Sequence, residues 1–216
     1  MIPAALHDDR LASLAGETLA LVAPHNPLAM SPRDAADLLP AGAPRVVAWS
    51  GSLGESLFDR SFATWMPAGR EALARYLDAA LDRCRETGTT LLLRTHARHV
   101  LSDAVAARAL LEERDDPRLA IAFDPAACFE AEMLPDAEDH LTRLFELAAP
   151  LADLVILRSL APPARHDDPP APAPLGEGLL NAESLARLAR DHARDDAIVA
   201  AVAPNAGPQL AAAGFA

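Results

Sequence analysis

Short apolar runs recur along the chain, with longer amphipathic stretches between them. The runs are almost continuously hydrophobic, which is typical of parallel strands covered on both faces. They predict strands at 18–23, 45–50, 90–95, 119–124, 153–158 and 197–202.

The stretches between these runs place apolar side chains at helical spacing. In 69–88, for example, Leu73, Leu77 and Leu81 share one face, and Gly88 is a suitable C-cap. Helices are predicted at 4–16, 31–39, 69–88, 102–113, 136–149 and 181–193.

Strict alternation of helix and strand predicts an α/β fold with parallel strands, either a (β/α) barrel or an open doubly wound sheet. No G-x-G-x-x-G follows the first strand, so a dinucleotide-binding fold has no support. Two long loops remain, at 51–69 and 161–178. The second is rich in proline and is interpreted as a surface excursion within one domain that spans 1–216.

Polar residues follow the predicted strands, where parallel α/β folds keep their chemistry. The candidate site residues are His25, Trp49, Ser50, Arg94, His96, Asp124 and Arg158. Asp124, His96 and His25 are the candidate acid–base groups, because carboxylates and imidazoles exchange protons near neutral pH. The others are candidate substrate-binding groups.

Arg94 and Asp124 each follow three apolar residues and can still lie inside the sheet. A charge there needs a partner, since burial of an unpaired charge is costly. The strands that carry them are consecutive, which predicts an ion pair between them.

Composition narrows the possible functions. The formal net charge is −12 and no basic patch is evident, which argues against nucleic-acid binding. The sequence contains no lysine, so Schiff-base chemistry on lysine and a Walker A loop are excluded. With two cysteines, no apolar run long enough for a membrane span and no signal-like N-terminus, we expect a cytoplasmic protein that does not insert into a membrane.

The stretches "ALDRCRETGTTLLLRTH", "DPRLAIAFDPAACF", "ADLVILRSL" and "GEGLLNAESLARLARDH" resemble the later half of the xylose-isomerase-like TIM barrels. This family includes sugar phosphate isomerases and epimerases and is related in fold to AP endonucleases. The resemblance implies a TIM-type barrel, a carbohydrate ligand and one divalent metal held by acids and a histidine at strand ends.

Several positions depart from the family pattern. The family strand that ends in Glu matches "LLLR", which ends at Arg94. The family Asp-Pro-Gly-His matches "DPAA", which keeps Asp124 but places Ala127 at the histidine. The family His-x-Lys-Asp matches "ILRS", with Ile156 at the histidine and Ser159 at the aspartate.

In that last match, Arg158 stands at the family lysine, and the final strand has no acid. A lone carboxylate does not hold a catalytic divalent ion against water. We therefore expect no metal and no other cofactor.

The family barrel has eight strands, whereas the pattern predicts about six. The prediction is an α/β, partial (β/α) TIM-type barrel whose open edge is covered by the N-terminal helix or pairs with a second copy. Three explanations stay open: a true partial barrel, an edge completed by another subunit, or a sequence that starts late.

Two functions remain open. One is a divergent isomerase/epimerase-like protein that binds a small carbohydrate without metal chemistry. The other is an active, metal-independent sugar isomerase or epimerase that uses histidine and aspartate side chains.

Overall fold

The computed structural model describes residues 2–6, 12–14, 17–22, 24–165 and 168–202. The strands are β1 (Ile2–Leu6), β2 (Ala12–Leu14), β3 (Glu17–Leu21), β4 (Arg45–Trp49), β5 (Thr90–Arg94), β6 (Leu119–Phe123), β7 (Leu154–Leu157), β8 (Ser159–Ala161), β9 (Ala171–Ala173) and β10 (Ile198–Val202). The α-helices are α1 (Pro32–Asp37), α2 (Phe62–Trp65), α3 (Pro67–Thr87), α4 (Ala104–Arg114), α5 (Ala137–Ala148) and α6 (Ala182–His192). Short 3₁₀ turns occupy Pro27–Ala29, Ala126–Cys128, Ala131–Asp136 and Ala149–Leu151.

All six predicted strands form, and they pair in parallel in the order β10-β7-β6-β5-β4-β3. Helices alternate with these strands along the chain. The fold is therefore α/β, a partial TIM-type barrel, as the sequence predicts. No helix in the described part of the chain is long and apolar enough to cross a membrane.

The helix predicted at 4–16 is wrong. The described residues of this segment form β1, which extends the sheet in parallel beside β10, and β2, which pairs antiparallel with β3. The physical reason is that the edges of β10 and β3 both carry backbone groups that need partners. Pairing them satisfies more polar groups than a weakly amphipathic helix laid over the sheet.

The curled sheet separates two kinds of core. The outer face packs against the helices through two large apolar clusters, one around Phe123 and Phe145 and one around Tyr76 and Leu77. The inner face is filled by a smaller cluster of alternating residues from the parallel strands. This inner cluster comprises Leu19, Val47, Leu92, Ala120, Ala122, Leu154, Ile156, Ile198 and Ala200.

The cover of the β3 edge leads to a prediction about association. A chain that lacks residues 1–14 loses the strand that pairs with β3 and the strand that pairs with β10. Two exposed edges favour intermolecular pairing, so we expect this variant to self-associate, measured by light scattering after size-exclusion chromatography. A variant that elutes as the same species as the full chain would contradict the role given to β1 and β2.

Candidate ligand-binding site

The site residues share one edge of the sheet because of the period of two along each strand. Trp49 continues the inward series through Val47, and Arg94 follows Leu92 in the same way. Trp49 lies directly opposite Arg94 in the β4–β5 register. Asp124 and Arg158 continue the inward series just beyond the ends of β6 and β7. All four therefore converge inside the carboxyl mouth of the barrel.

Asp124 is clamped by two guanidinium groups. Arg94 donates from Nε and Nη2 to Oδ2 at 2.8 and 2.6 Å. Arg158 donates from Nε and lies 3.1 Å from Oδ1 and 3.0 Å from Oδ2. The Asp124 side chain has no solvent exposure, and each arginine side chain is 10% exposed. The predicted pair is thus an arginine–aspartate–arginine triad with a net charge of +1.

Backbone contacts add to the clamp on the same carboxylate. The amide of Ala127 donates to Asp124 Oδ1 at 3.1 Å from the turn that follows Pro125. The amide of Asp124 itself donates to Thr95 Oγ1, which also accepts a weak hydrogen bond from the Cys128 thiol. Every oxygen of the carboxylate consequently has a protein donor.

The triad keeps Asp124 ionised. Burial acts to raise the pKa of this carboxyl, but the positive charges of Arg158 and Arg94 outweigh it and hold the pKa below its ordinary value. Asp124 is therefore a charged anchor at neutral pH, with little basicity toward a proton on a ligand.

An aromatic cluster packs beside the triad. The guanidinium of Arg94 lies over the Trp49 ring, 4.1 Å from its centroid. The His96 ring stacks on His99 at 4.6 Å between centroids and lies 4.9 Å from Phe58. The two histidines thus belong to a ring stack, and their 96–99 spacing serves packing.

Both histidines are neutral at pH 7. Burial lowers the pKa of His96 well below its ordinary value, and the neighbouring His99 lowers it further. Burial also lowers the pKa of His99 to about 3, despite a hydrogen bond between Nε2 and the Leu57 carbonyl. His96 Nδ1 accepts the amide N–H of Arg98 at 3.0 Å, so the neutral ring carries its proton on Nε2.

The loop that carries Phe58 is tied to the far side of the mouth by Arg98. This guanidinium donates to both oxygens of Glu130, at 2.8 and 2.7 Å, and to the Phe58 carbonyl at 3.2 Å. Bidentate pairing fixes orientation as well as distance. Phe58, Arg98 and Glu130 could not be predicted as site residues, because Arg98 and Glu130 lie far apart in the sequence and their spacing carries no local signal.

These elements enclose a cavity of about 440 Å³, within the size range of small-molecule sites. Its lining joins the strand-end residues to the turn after β6 and to the proline-rich loop. The lining residues are Leu21, Pro24, Trp49, Phe58, Arg94, His96, Ala126, Ala127, Phe129, Arg158, Pro169, Pro170, Pro172, Ala173 and Pro174.

The proline-rich loop is more than the predicted surface excursion. Its described residues form the antiparallel pair β8–β9, with Ser159 opposite Ala173. The following Gly178 packs so closely against Leu160 that an added Cβ would lie 2.6 Å from the Leu160 carbonyl oxygen. The loop is thereby held over the barrel mouth, where its prolines form part of the cavity wall.

Two candidate residues lie outside this lining. Ser50 is fully buried and its hydroxyl bridges backbone groups, with the Leu101 amide as donor and the Arg94 carbonyl as acceptor. His25 is half-buried in the loop after β3, next to Asn26, whose amide side chain pairs with the backbone of Ser52. The structure gathers Trp49, Arg94, His96, Asp124 and Arg158, and places Ser50 and His25 in the surrounding loops.

The described residues at the mouth leave Asp124 no free oxygen for a divalent cation. Two guanidinium groups and a backbone amide occupy the oxygens of Asp124. Among the described residues, no group of three or more histidine, cysteine, aspartate or glutamate side chains is placed to hold a metal ion. Cys128 adds no ligand of this kind, because burial raises the pKa of its thiol to about 12.

The family model described as xylose isomerase-like TIM barrel matches residues 39–215. The chain belongs to this family, as the resemblance of its strand and helix stretches indicates. No curated protein matches the chain.

Solved structures support the same fold. A xylose isomerase domain protein from Planctomyces limnophilus aligns with a TM-score of 0.51 at 17% identity, over 86% of this chain and 61% of its own. Endonuclease IV from Thermus thermophilus aligns with a TM-score of 0.53 at 18% identity, over 91% and 73%. D-allulose 3-epimerase from Methylomonas sp., solved with D-allulose, aligns with a TM-score of 0.52 at 14% identity, over 83% and 59%. The chain thus spans less than two thirds of the first and third of these proteins.

Proposed function

We propose that this chain is a metal-free, non-catalytic binding module of the xylose isomerase-like family. It holds a small carbohydrate-type ligand in the cavity at the barrel mouth, in the cytoplasm, and acts on neither nucleic acid nor membrane. The observation that carries the proposal is the triad of Arg94, Asp124 and Arg158. The triad places two positive charges, and one carboxylate that is already fully hydrogen-bonded, where a metal-dependent relative needs carboxylates that are free to bind the ion.

Acid–base catalysis has weak support from the same geometry. Asp124 stays ionised between two arginines, so it is a poor proton acceptor. His96 lines the cavity, but its Nδ1 lone pair is already engaged by the Arg98 amide. A base needs a free lone pair of suitable pKa, and neither group offers one.

The alternative function is a metal-independent sugar isomerase or epimerase. The observation in its favour is that the neutral His96 ring lines a cavity of ligand size. An isomerase or epimerase activity that persists in EDTA and disappears in His96→Gln, with binding retained, would establish this alternative and overturn the non-catalytic proposal.

Metal content tests the proposal directly. Protein purified without chelator is expected to carry no stoichiometric divalent metal, because the oxygens of Asp124 are already bonded. Elemental analysis by mass spectrometry makes the measurement, with a dialysed sample in added Mn²⁺, Co²⁺ or Zn²⁺ as the comparison. About one ion per chain would refute the metal-free site, and a sugar isomerase activity lost with that ion on chelation would also refute the non-catalytic role.

A further inference from the structure

The side chains that line the mouth cavity share one chemical property. Its polar side chains are those of Trp49, Arg94, His96 and Arg158. All four present N–H groups, since His96 in its neutral form carries the proton on Nε2. Within the described lining there is no carboxylate, hydroxyl or amide side chain. Such a wall offers hydrogen-bond donors and no side-chain acceptor, so it suits a ligand group that only accepts hydrogen bonds.

Arg158 supplies the strongest of these donors. Its side chain is nine-tenths buried and lines the cavity, yet only its Nε is directed at Asp124. In the described part of the chain, its Nη groups have no hydrogen-bond partner. These N–H donors lie at the cavity wall, where they are available to a ligand or to water.

The net positive charge of the site also favours an anionic ligand. The triad carries a net +1, and no residue of the described lining is acidic. The chain as a whole carries a formal charge of −12, which repels anions at long range. Anion binding at this mouth must therefore come from the local guanidinium groups.

We infer that the cavity is an oxyanion site, in which the Nη groups of Arg158 bind a carboxylate or phosphate group and the Trp49, Phe58 and proline walls contact the body of the ligand. This inference rests on the proposed function, because it names the chemical class of ligand for the same cavity. A planar guanidinium pairs with two oxygens of either group in parallel hydrogen bonds. A neutral sugar gains no such pair and leaves its own hydroxyl donors facing a wall of donors.

Isothermal titration of the full chain with matched probes tests the inference. The pairs are D-glucuronate against D-glucose and benzoate against benzamide, and inorganic phosphate is titrated separately. Each acid is expected to bind at least about tenfold more tightly than its neutral partner. A carboxylate preference without phosphate binding assigns the site to carboxylates, and phosphate binding without a carboxylate preference assigns it to phosphates. Equal affinity within both pairs together with no binding of phosphate would overturn the inference.

A variant locates the binding. Arg158→Gln keeps Asp124 paired with Arg94 and should weaken the preferred anion by about tenfold or more, while its neutral partner is unaffected. Arg187→Gln removes an exposed arginine of α6 and is the matched control, expected to bind as the parent chain does. Unchanged anion affinity in a folded Arg158→Gln would contradict the assignment. Should that variant not fold, the comparison of charged and neutral probes on the parent chain still decides.

The two proposals fail in different ways. Metal-dependent turnover of a sugar would refute the proposed function whatever the anion titrations show. Binding of D-glucose as tight as that of D-glucuronate, with no binding of phosphate, would refute the oxyanion site and leave the binding module intact.

Discussion

Replacing Asp124 by leucine should cost roughly 3–5 kcal/mol of unfolding free energy, the largest loss we expect from a single change at the barrel mouth. The reason is that the substitution strands two guanidinium groups whose side chains are 10% exposed. It also removes the acceptor of the Ala127 amide. Urea unfolding followed by circular dichroism gives the free energy, and an unchanged m-value shows that the same transition is measured.

Arg94→Leu should cost less than Asp124→Leu, because Arg158 still neutralises the carboxylate. The double variant Arg94→Leu with Asp124→Leu should cost less than the sum of the two single changes, since one of the stranded charges is gone. Asp124→Asn is the matched control, because it keeps the shape and one acceptor oxygen while it removes the charge. Costs that add within about 0.5 kcal/mol would show that the two residues act independently.

The sequence predicted Arg94 and Asp124 as a pair because both stand at the ends of consecutive buried strands. The contact of Arg158 with Asp124 was harder to predict. Its strand follows β6 in the sheet, but a guanidinium that reaches back to a carboxylate depends on side-chain length and register, which a periodicity argument does not contain. Arg158 was therefore predicted only as a binding residue, and the triad appears first in the structure.

The six central strands were predictable since their apolar runs are long enough to outweigh local ambiguity. The N-terminal segment was not, because its pattern fits a helix locally while the sheet edges demand strands. The positions of the proline-rich loop and the Phe58 loop could not be predicted from the sequence either. Their place over the mouth depends on long-range contacts such as Arg98 with Glu130, which residue order does not reveal.

The buried histidine stack makes stability depend on pH. The pKa of His99 falls from an ordinary 6.5 to about 3 on folding, and that of His96 moves in the same direction. Between these values the unfolded chain binds the proton and the folded chain does not, so stability is fully present above pH 6.5 and falls as the pH is lowered. His99 alone accounts for up to about 3 kcal/mol lost between pH 7 and pH 4.

The arginine charges around the stack lower the pKa values of the two histidines further. Arg94 lies close enough to act on both rings, Arg158 acts on His96, and Asp124 offsets them in part. His99 Nδ1 is buried without a hydrogen-bond partner among the described residues. Protonation there would create a buried, charged N–H group without an acceptor. Asp124 adds to the loss in acid at lower pH, because folding lowers its pKa, so its contribution is present above the ordinary carboxyl pKa and is lost as the pH falls below that value.

Unfolding free energies at several pH values between 4 and 7.5 test this account. We expect His99→Gln to be less stable than the parent chain at pH 7, since it loses close ring packing, but to lose less stability on acidification. His140→Gln, on α5 outside the stack, should keep the full slope of the parent. A parent chain as stable at pH 4 as at pH 7, or a His99→Gln variant with an unchanged slope, would mean that the stack accepts protons at little cost. In that case burial would not make the His96 ring a weak base, and the alternative enzymatic function would gain support.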